Sequence, residues 1–247
     1  MRKRIVAGNW KMNLDWDEAQ TLANAIQQIE IGQTEVIICP SSLYIGALSI
    51  ENKSNIKIGA QNAYPKPSGA FTGEQSFTQL KSIGVSHVLI GHSERRAYFN
   101  ETNAFLKEKV DACLEVGLTP IFCCGEELAI REKNEEAAFV TNQIAESLFH
   151  LSAEDFSKCV LAYEPIWAIG TGLTASSAQA EEMHKCIRDF IAQKYGEAIA
   201  NATPILYGGS CNEKNAKELF ACENVDGGLI GGAALKADSF SQIIQSF

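Results

Sequence analysis

The chain has 247 residues, of which 46% are hydrophobic and 21% are charged. This composition is typical of a globular protein, and it excludes a disordered chain or a collagen-like one. The 21 basic and 30 acidic residues give a formal net charge of −9, whereas a general nucleic-acid binder is expected to carry a basic excess.

Short β-branched runs alternate along the chain with longer segments of helical period. The predicted strands are Arg4–Ala7, Glu35–Cys39, Ile56–Ala60, His87–Ile90, Leu118–Cys123, Cys159–Tyr163, Thr203–Tyr207 and Val225–Ile230. The predicted helices are Trp16–Glu30, Leu43–Asn52, Thr78–Ile83, Asn103–Val116, Asn134–Leu148, Ser177–Tyr195, Glu213–Ala221 and Ser239–Ile244.

This alternation predicts an α/β fold. Strands that are apolar throughout and separated by helices form a parallel sheet covered on both faces, which fits either an open doubly wound sheet or a closed barrel. Eight repeats of about 30 residues, in a length near the ~250 of such barrels, favour a (β/α)8 barrel. Because no linker or shift in composition divides the chain, residues 1–247 are predicted to form one domain, with its chemistry at the carboxyl ends of the strands.

The eight cysteines are interpreted as reduced thiols. The first residues lack the apolar stretch of a signal peptide, and no apolar run approaches the ~18 residues of a membrane span. We therefore expect a cytoplasmic protein whose cysteines act mainly as small buried side chains. The sequence has no Cys-x-x-Cys pair, and its four histidines lack the spacing of zinc ligands, so neither a metal nor a cofactor is expected.

The first and fourth strands each end in side chains that can carry chemistry. Asn9 and Lys11 place an amide and a cation two residues apart, which suits an anionic ligand, although Lys11 alone could be an exposed loop residue. His92 lies where an apolar strand meets a helix start, whose N–H groups favour a neutral imidazole. The alternative is a structural histidine, with Ser93 as N-cap and residues 94–96 in ion pairs.

The sixth strand is followed by Glu164 and an unusually apolar loop. A carboxylate at the end of an apolar strand would be costly facing the core, so Glu164 is expected to face a site. Residues 165–172 combine large apolar side chains with Pro165 and two glycines, which suits either a lid over a ligand or a loop packed into the core. Gly170-Thr-Gly172 matches only part of a dinucleotide-binding motif and is weak evidence for one.

Glycine pairs end the last two strands, at 208–209 and 231–232. Each could serve a turn, but glycines after strands seven and eight of such a barrel let backbone N–H groups hold a phosphate. A phosphate bound by N–H dipoles and one lysine needs no basic protein, so the negative net charge does not exclude an anionic substrate.

Five segments of the chain follow one another in the order and spacing of a known family. They are Gly8–Asn13, Gly69–Glu74, Gly91–Arg96, Ala162–Gly172, and Tyr207–Ser210 with Asp226–Gly232. On these segments the sequence resembles the triosephosphate isomerase family from residue 5 to about residue 236. The resemblance implies a TIM barrel that interconverts D-glyceraldehyde 3-phosphate and dihydroxyacetone phosphate, as in glycolysis and gluconeogenesis.

The resemblance also implies a role for each matching residue. Glu164 would be the base that moves a proton between two carbons, and His92 the neutral imidazole that polarises the carbonyl. Lys11 and Asn9 would stabilise the enediolate and hold the substrate. Pro165–Gly172 would be the mobile lid. Backbone N–H groups would bind the phosphate at Gly170, Ser210, Gly231 and Gly232.

In the family, the Gly69–Glu74 loop inserts into a second subunit, which implies a homodimer. From the residues alone, the apolar Phe71 on an exposed loop suggests contact with another protein chain. Competing hypotheses are another phosphate-binding barrel enzyme, such as an epimerase or a synthase, and a catalytically silent binding or adhesion module on the same scaffold.

The sequence departs from the family at a few positions. Leu173 stands where lysine is usual, and Cys124, Cys211, Gly228 and Ala234 replace isoleucine, valine, a bulky aromatic residue and serine. These changes concern the kinetics of the lid and the reactivity of thiols, and they remove no chemical role.

Overall fold

A computed structural model describes residues 2–170 and 173–247, and it shows eight parallel strands closed into a barrel. Each strand pairs with the next along the chain, and the last pairs with the first. The predicted (β/α)8 fold class is confirmed. The strands are β1 (Ile5–Asn9), β2 (Glu35–Cys39), β3 (Lys57–Ala60), β4 (His87–Ile90), β5 (Thr119–Cys124), β6 (Val160–Tyr163), β7 (Ile205–Tyr207) and β8 (Gly227–Ile230).

Helices surround the barrel. One-turn 3₁₀ helices follow β6 and β8, at Ile166–Ala168 and Gly232–Leu235. None of the described helices has the length and apolar composition needed to cross a membrane. The α-helices among the described residues are α1 (Trp16–Ile26), α2 (Ile45–Glu51), α3 (Phe77–Ser82), α4 (Ser93–Phe99), α5 (Asn103–Glu115), α6 (Leu128–Arg131), α7 (Glu136–Leu148), α8 (Ala153–Phe156), α9 (Ser177–Tyr195), α10 (Glu197–Ala200), α11 (Ala216–Phe220) and α12 (Ala237–Ile244).

Alternate residues of the strands pack into two separate cores. Side chains that point inward fill the barrel, and those that point outward pack under the helices. Both faces of the strands are therefore buried, which explains why the predicted strands are apolar throughout. The inner core contains Ile5, Ala7, Ile37, Cys39, Leu89, Ile121, Cys123, Val160, Ala162, Leu206 and Leu229.

Local hydrogen bonds determine where the longer helices begin. The Asp15 side chain accepts the amide of Glu18, whose carboxylate accepts the amide of Asp15 in return, which starts α1. Ser176 and Gln179 form the same reciprocal pair at α9, whose observed span equals the predicted one. These pairs satisfy amides that the first turn of a helix leaves without partners.

The short helices are where the prediction and the structure differ. The four-residue helices α6, α8 and α10 were not among the predicted helices, and α4 was expected only as a helix start after His92, without a span. One or two turns cannot repeat a hydrophobic pattern, so periodicity does not detect them. The predicted helix over 213–221 is reduced to α11, and α1 ends at Ile26, four residues before its predicted end.

Candidate active site

The end of β1 holds Asn9 and Lys11 in a tight turn. Lys11 has a φ of 53°, a left-handed backbone that costs a non-glycine residue about 1–2 kcal/mol. The Asn9 side-chain oxygen accepts the Lys11 amide at 3.0 Å, and the Gln61 side chain donates to the Lys11 carbonyl at 2.8 Å. This turn brings Lys11 Nζ within 2.5 Å of Glu94 Oε1. The predicted cation and amide therefore lie together, with the cation paired to a carboxylate of α4.

The end of β4 presents His92. Gly91 precedes it with a φ of +79°, and a Cβ there would lie 2.9 Å from Leu106 Cδ1, so glycine is required. This turn makes His92 the N-cap of α4, a position for which Ser93 was the alternative considered from the sequence. His92 Nδ1 accepts the Glu94 amide at 3.2 Å. A ring nitrogen that accepts a hydrogen bond carries no proton, so the proton of the neutral imidazole lies on Nε2.

Glu164 follows β6 and faces His92, as predicted for a carboxylate turned toward a site. It is 1% exposed. Its Oε1 lies 3.0 Å from His92 Nε2, and its Oε2 accepts the Ser93 amide at 3.0 Å. Its own amide donates to Cys124 O at 2.8 Å. The carboxylate is thus buried against two donors from the start of α4.

The pKa of His92 reflects two opposing influences. Burial disfavours the imidazolium and lowers the pKa, but the adjacent carboxylates of Glu164 and Glu94 together outweigh it, so the pKa lies above 6.5. The amides at a helix start would by themselves lower the His92 pKa, so the raised pKa is the opposite of what that position alone would give. Glu164 is the larger of the two carboxylate influences, so a carboxylate farther from the ring would lower the His92 pKa.

Two glycines allow Glu164 to occupy this place. A Cβ on Gly125 would lie 1.7 Å from the Glu164 carbonyl oxygen, and a Cβ on Gly208 would lie 2.8 Å from Glu164 Cγ. Both clashes would displace the carboxylate. Gly125 was not predicted as a site residue, and its only signal in the sequence is a glycine directly after an apolar strand.

A second wall of the site is built from the ends of β7 and β8. Gly231 precedes the 3₁₀ helix Gly232–Leu235, whose first amides have no partners within the helix and are a common place for an anion to bind. A Cβ on Gly231 would lie 3.8 Å from Lys11 Cε, so this glycine adjoins the cation. The amide of Ser210 donates to Ala168 O at 3.1 Å.

These walls enclose one cavity of about 310 Å³. It is lined both by side chains that can carry chemistry and by the glycines at 170, 208, 209, 231 and 232. Every predicted site residue lines it: Asn9, Lys11, His92, Glu164, Gly170, Ser210, Gly231 and Gly232.

The start of the predicted lid is anchored by Glu126, which was not predicted as a functional residue. The fully buried Glu126 carboxylate accepts Trp167 Nε1 at 2.9 Å and the Tyr163 hydroxyl at 3.0 Å. Burial raises the pKa of Glu126. The Arg131 guanidinium lies 5.3 Å from the centre of a Trp167 ring. Of the predicted lid Pro165–Gly172, the last two residues lie outside the described residues.

Comparison with known proteins identifies the family. Residues 4–247 match the model of the family described as triosephosphate isomerase. The chain belongs to the triosephosphate isomerase family. Triosephosphate isomerases of Cytophaga hutchinsonii and Bacteroides fragilis strain YCH46 are 53% and 54% identical to it over 251 residues, covering 100% of each chain. That of Fusobacterium nucleatum is 46% identical over 249 residues, covering 100% of this chain and 99% of its own. The predicted family and enzyme class are confirmed.

Proposed function

We propose that this chain interconverts D-glyceraldehyde 3-phosphate and dihydroxyacetone phosphate through an enediolate. One observation supports this most: a buried carboxylate, an imidazole and an ammonium face a single cavity that glycines after β6, β7 and β8 also line. Moving a proton between adjacent carbons needs one base, one electrophile and a group that binds the phosphate. The site supplies these three functions from Glu164, His92, Lys11 and the glycines.

Glu164 is the proposed base. It removes the proton next to the substrate carbonyl and returns it to the neighbouring carbon. To do so, the carboxylate exchanges its contacts with His92 Nε2 and the Ser93 amide for the substrate carbon. Since it is 1% exposed, it approaches that carbon with little competing water.

His92 is the proposed electrophile. With Nδ1 accepting the Glu94 amide, its Nε2–H donates to the substrate carbonyl and then moves protons between the two oxygens. When Glu164 leaves the ring for the substrate, the largest influence that raises the His92 pKa weakens, and burial favours the neutral form. A glutamate base paired with a neutral histidine is the general chemistry of this enzyme family.

Lys11 and Asn9 are the proposed electrostatic stabilisers of the enediolate. A cation at this place lowers the energy of negative charge that develops on the substrate oxygens. Lys11 is 29% exposed at its side chain and paired with Glu94, so substrate binding includes competition with that carboxylate.

The phosphate is proposed to bind the amides of Gly170, Ser210, Gly231 and Gly232. The Ser210 amide must first release Ala168 O, which belongs to the lid. Phosphate binding and movement of the lid are therefore coupled. Closure of Pro165–Gly172 would keep water from the enediolate.

We also propose that two copies of the chain form a homodimer. Large apolar side chains are exposed where the first four strands end. Beside them, a cavity of about 600 Å³ reaches Asn9 and Lys11 and can receive the Gly69–Glu74 loop of a second copy. The exposed side chains are Met12 (97%), Leu43 (82%), Phe71 (38%), Tyr98 (77%) and Phe99 (62%).

Size-exclusion chromatography with light scattering tests the dimer. The chain should elute with the mass of two copies, and Leu43→Glu should shift it toward one, because the substitution places a charge in the apolar interface. Ile50→Glu changes an isoleucine that is 75% exposed and lines a cavity at the amino ends of β3 and β4, at the opposite end of the strands, and should leave the mass unchanged. A monomeric wild-type chain would contradict the proposal.

The remaining proposals concern the whole chain. We propose that residues 1–247 form one domain, since the barrel is closed by pairing of β8 with β1. We propose a cytoplasmic location, since all eight cysteines are free thiols, which are typical of a reducing compartment.

A coupled isomerase assay on purified protein treated with a chelator tests the function. We expect full turnover of glyceraldehyde 3-phosphate under these conditions. Turnover that disappears on metal removal would contradict the metal-free mechanism proposed here. Binding of a phosphate-bearing inhibitor without turnover would favour the catalytically silent module, which nothing in the comparisons supports.

A further inference from the structure

We propose that Ser86, His87 and Glu35 form a second reactive site, at which Ser86 accepts an acyl group from activated esters of short carboxylic acids. The three residues lie at the amino ends of β2 and β4, whereas the isomerase site lies at the carboxyl ends. Ser86 precedes β4 and His92 follows it, so the length of a strand separates the two sites.

The three side chains form a continuous hydrogen-bonded chain. Glu35 Oε1 lies 3.1 Å from His87 Nε2, and His87 Nδ1 lies 2.8 Å from Ser86 Oγ. Because an ionised carboxylate only accepts hydrogen bonds, Nε2 carries the ring proton. Nδ1 is then free to accept the Ser86 hydroxyl proton. This arrangement is that of a nucleophile, a base and a group that orients the base.

Burial and charge favour these roles. The His87 side chain is 8% exposed and that of Glu35 is 23% exposed. The hydrogen bond from His87 lowers the pKa of Glu35 from 4.5 to about 2, against the effect of burial, and Lys3 adds to the lowering. Glu35 is therefore ionised at neutral pH and can stabilise the His87 imidazolium while Ser86 attacks.

A cavity of about 550 Å³ opens beside Ser86, between α2 and α3. The isoleucines Ile50, Ile56 and Ile83 line part of it, and they offer contact to a short apolar acyl chain. Ile50 and Ile83 are 75% and 41% exposed, so the cavity is accessible from solvent.

The surroundings of Ser86 limit which acyl donors can react. Its amide donates to Ile58 O at 2.9 Å, so that N–H is engaged and does not stabilise an oxyanion. Its hydroxyl also lies 3.2 Å from Ile58 O, which competes with His87 for the proton. We therefore expect reaction with esters whose leaving group is already stable as an anion.

The acyl-transfer step conserves atoms and electrons. Ser86 Oγ forms a bond to the ester carbonyl carbon, and its proton moves to His87 Nδ1. The bond from that carbon to the leaving oxygen breaks, and the leaving group departs with the electron pair. His87 then loses that proton to solvent. Water attacks the acyl carbon and gives a proton to His87 Nδ1, the bond from that carbon to Ser86 Oγ breaks, and His87 returns the proton to Oγ. The products are the carboxylic acid and the free serine.

p-Nitrophenyl acetate is the probe, with the intact full-length chain. We expect p-nitrophenolate release and one acetyl group that peptide mass spectrometry locates on Ser86. Ser86→Ala should abolish that acetylation. His87→Gln should slow it by about a hundredfold, the usual contribution of a general base. Ser49→Ala changes another serine that lines the same cavity and should react as the wild type does.

Isomerase turnover measured on the same samples shows that each variant is folded, since none of these residues belongs to the isomerase site. If His87→Gln fails to fold, a fluorophosphonate probe on the wild-type chain replaces it and should also label Ser86. Acetylation confined to lysines would overturn the proposal. Acetylation of Ser86 at an unchanged rate in His87→Gln would also overturn it, because the reaction would then not depend on the base.

Discussion

Replacing Gly125 by alanine tests how the backbone positions the proposed base. The new Cβ would lie 1.7 Å from the Glu164 carbonyl oxygen, whereas real Cβ contacts essentially never fall below 3.0 Å. The two segments must separate by more than about 1 Å, and a displacement of that size at a catalytic group costs about a hundredfold in rate. Overpacking of this kind also lowers the free energy of unfolding by about 1–3 kcal/mol.

Steady-state kinetics and urea unfolding measure these two effects. Gly125→Ala should lower kcat by about a hundredfold while KM changes little, because three of the four proposed phosphate-binding residues, Ser210, Gly231 and Gly232, follow β7 and β8. Gly46→Ala is the matched control, since its Cβ meets nothing within 4 Å. That variant should keep its kcat, and its free energy of unfolding should rise by about 0.5–1 kcal/mol because alanine favours a helix more than glycine does. A Gly125→Ala chain with wild-type kcat and stability would show that this glycine does not position the carboxylate.

Three further predictions concern charge. Glu164→Gln should lower the pKa of His92, measured by NMR of the imidazole, because burial remains after the carboxylate is removed; an unchanged pKa would contradict the opposing influences described above. Lys11→Ala should weaken the binding of a phosphate-bearing competitive inhibitor by about 10- to 100-fold, because one charge-assisted hydrogen bond is lost. Lys53→Ala, which changes an exposed lysine outside the site, should leave the inhibitor's affinity unchanged. The pKa of Glu35 falls from 4.5 to about 2 on folding, so its contribution to stability is present above pH 4.5 and is lost as pH falls toward 2. Urea midpoints should therefore fall less steeply over that range in Glu35→Gln than in the wild type, and equal slopes would count against a lowered pKa at Glu35.

The barrel and the positions of the main site residues could be predicted from the sequence. Apolar runs separated by helical segments specify both the number and the parallel direction of the strands. Once the strands are known, their carboxyl ends meet at one end of the barrel, so His92 and Glu164 must approach each other although they are distant in sequence.

Contacts between distant segments could not be predicted. The side-by-side packing of β5 and β6 brings Gly125 against Glu164 and lets Trp167 donate to Glu126. The left-handed turn at Lys11 had no signal either, because it depends on a hydrogen bond from Gln61. Sequence patterns report periodicity and local chemistry, whereas these features depend on packing.

Shortening the side chain of Glu164 is the sharpest test of its role as the base. Glu164→Asp withdraws the carboxylate by one methylene, about 1 Å or more, while the rest of the site is unchanged. We predict that kcat in the coupled isomerase assay falls by about a hundredfold or more while KM rises far less. Turnover of Glu164→Asp close to that of the wild type would contradict Glu164 as the base.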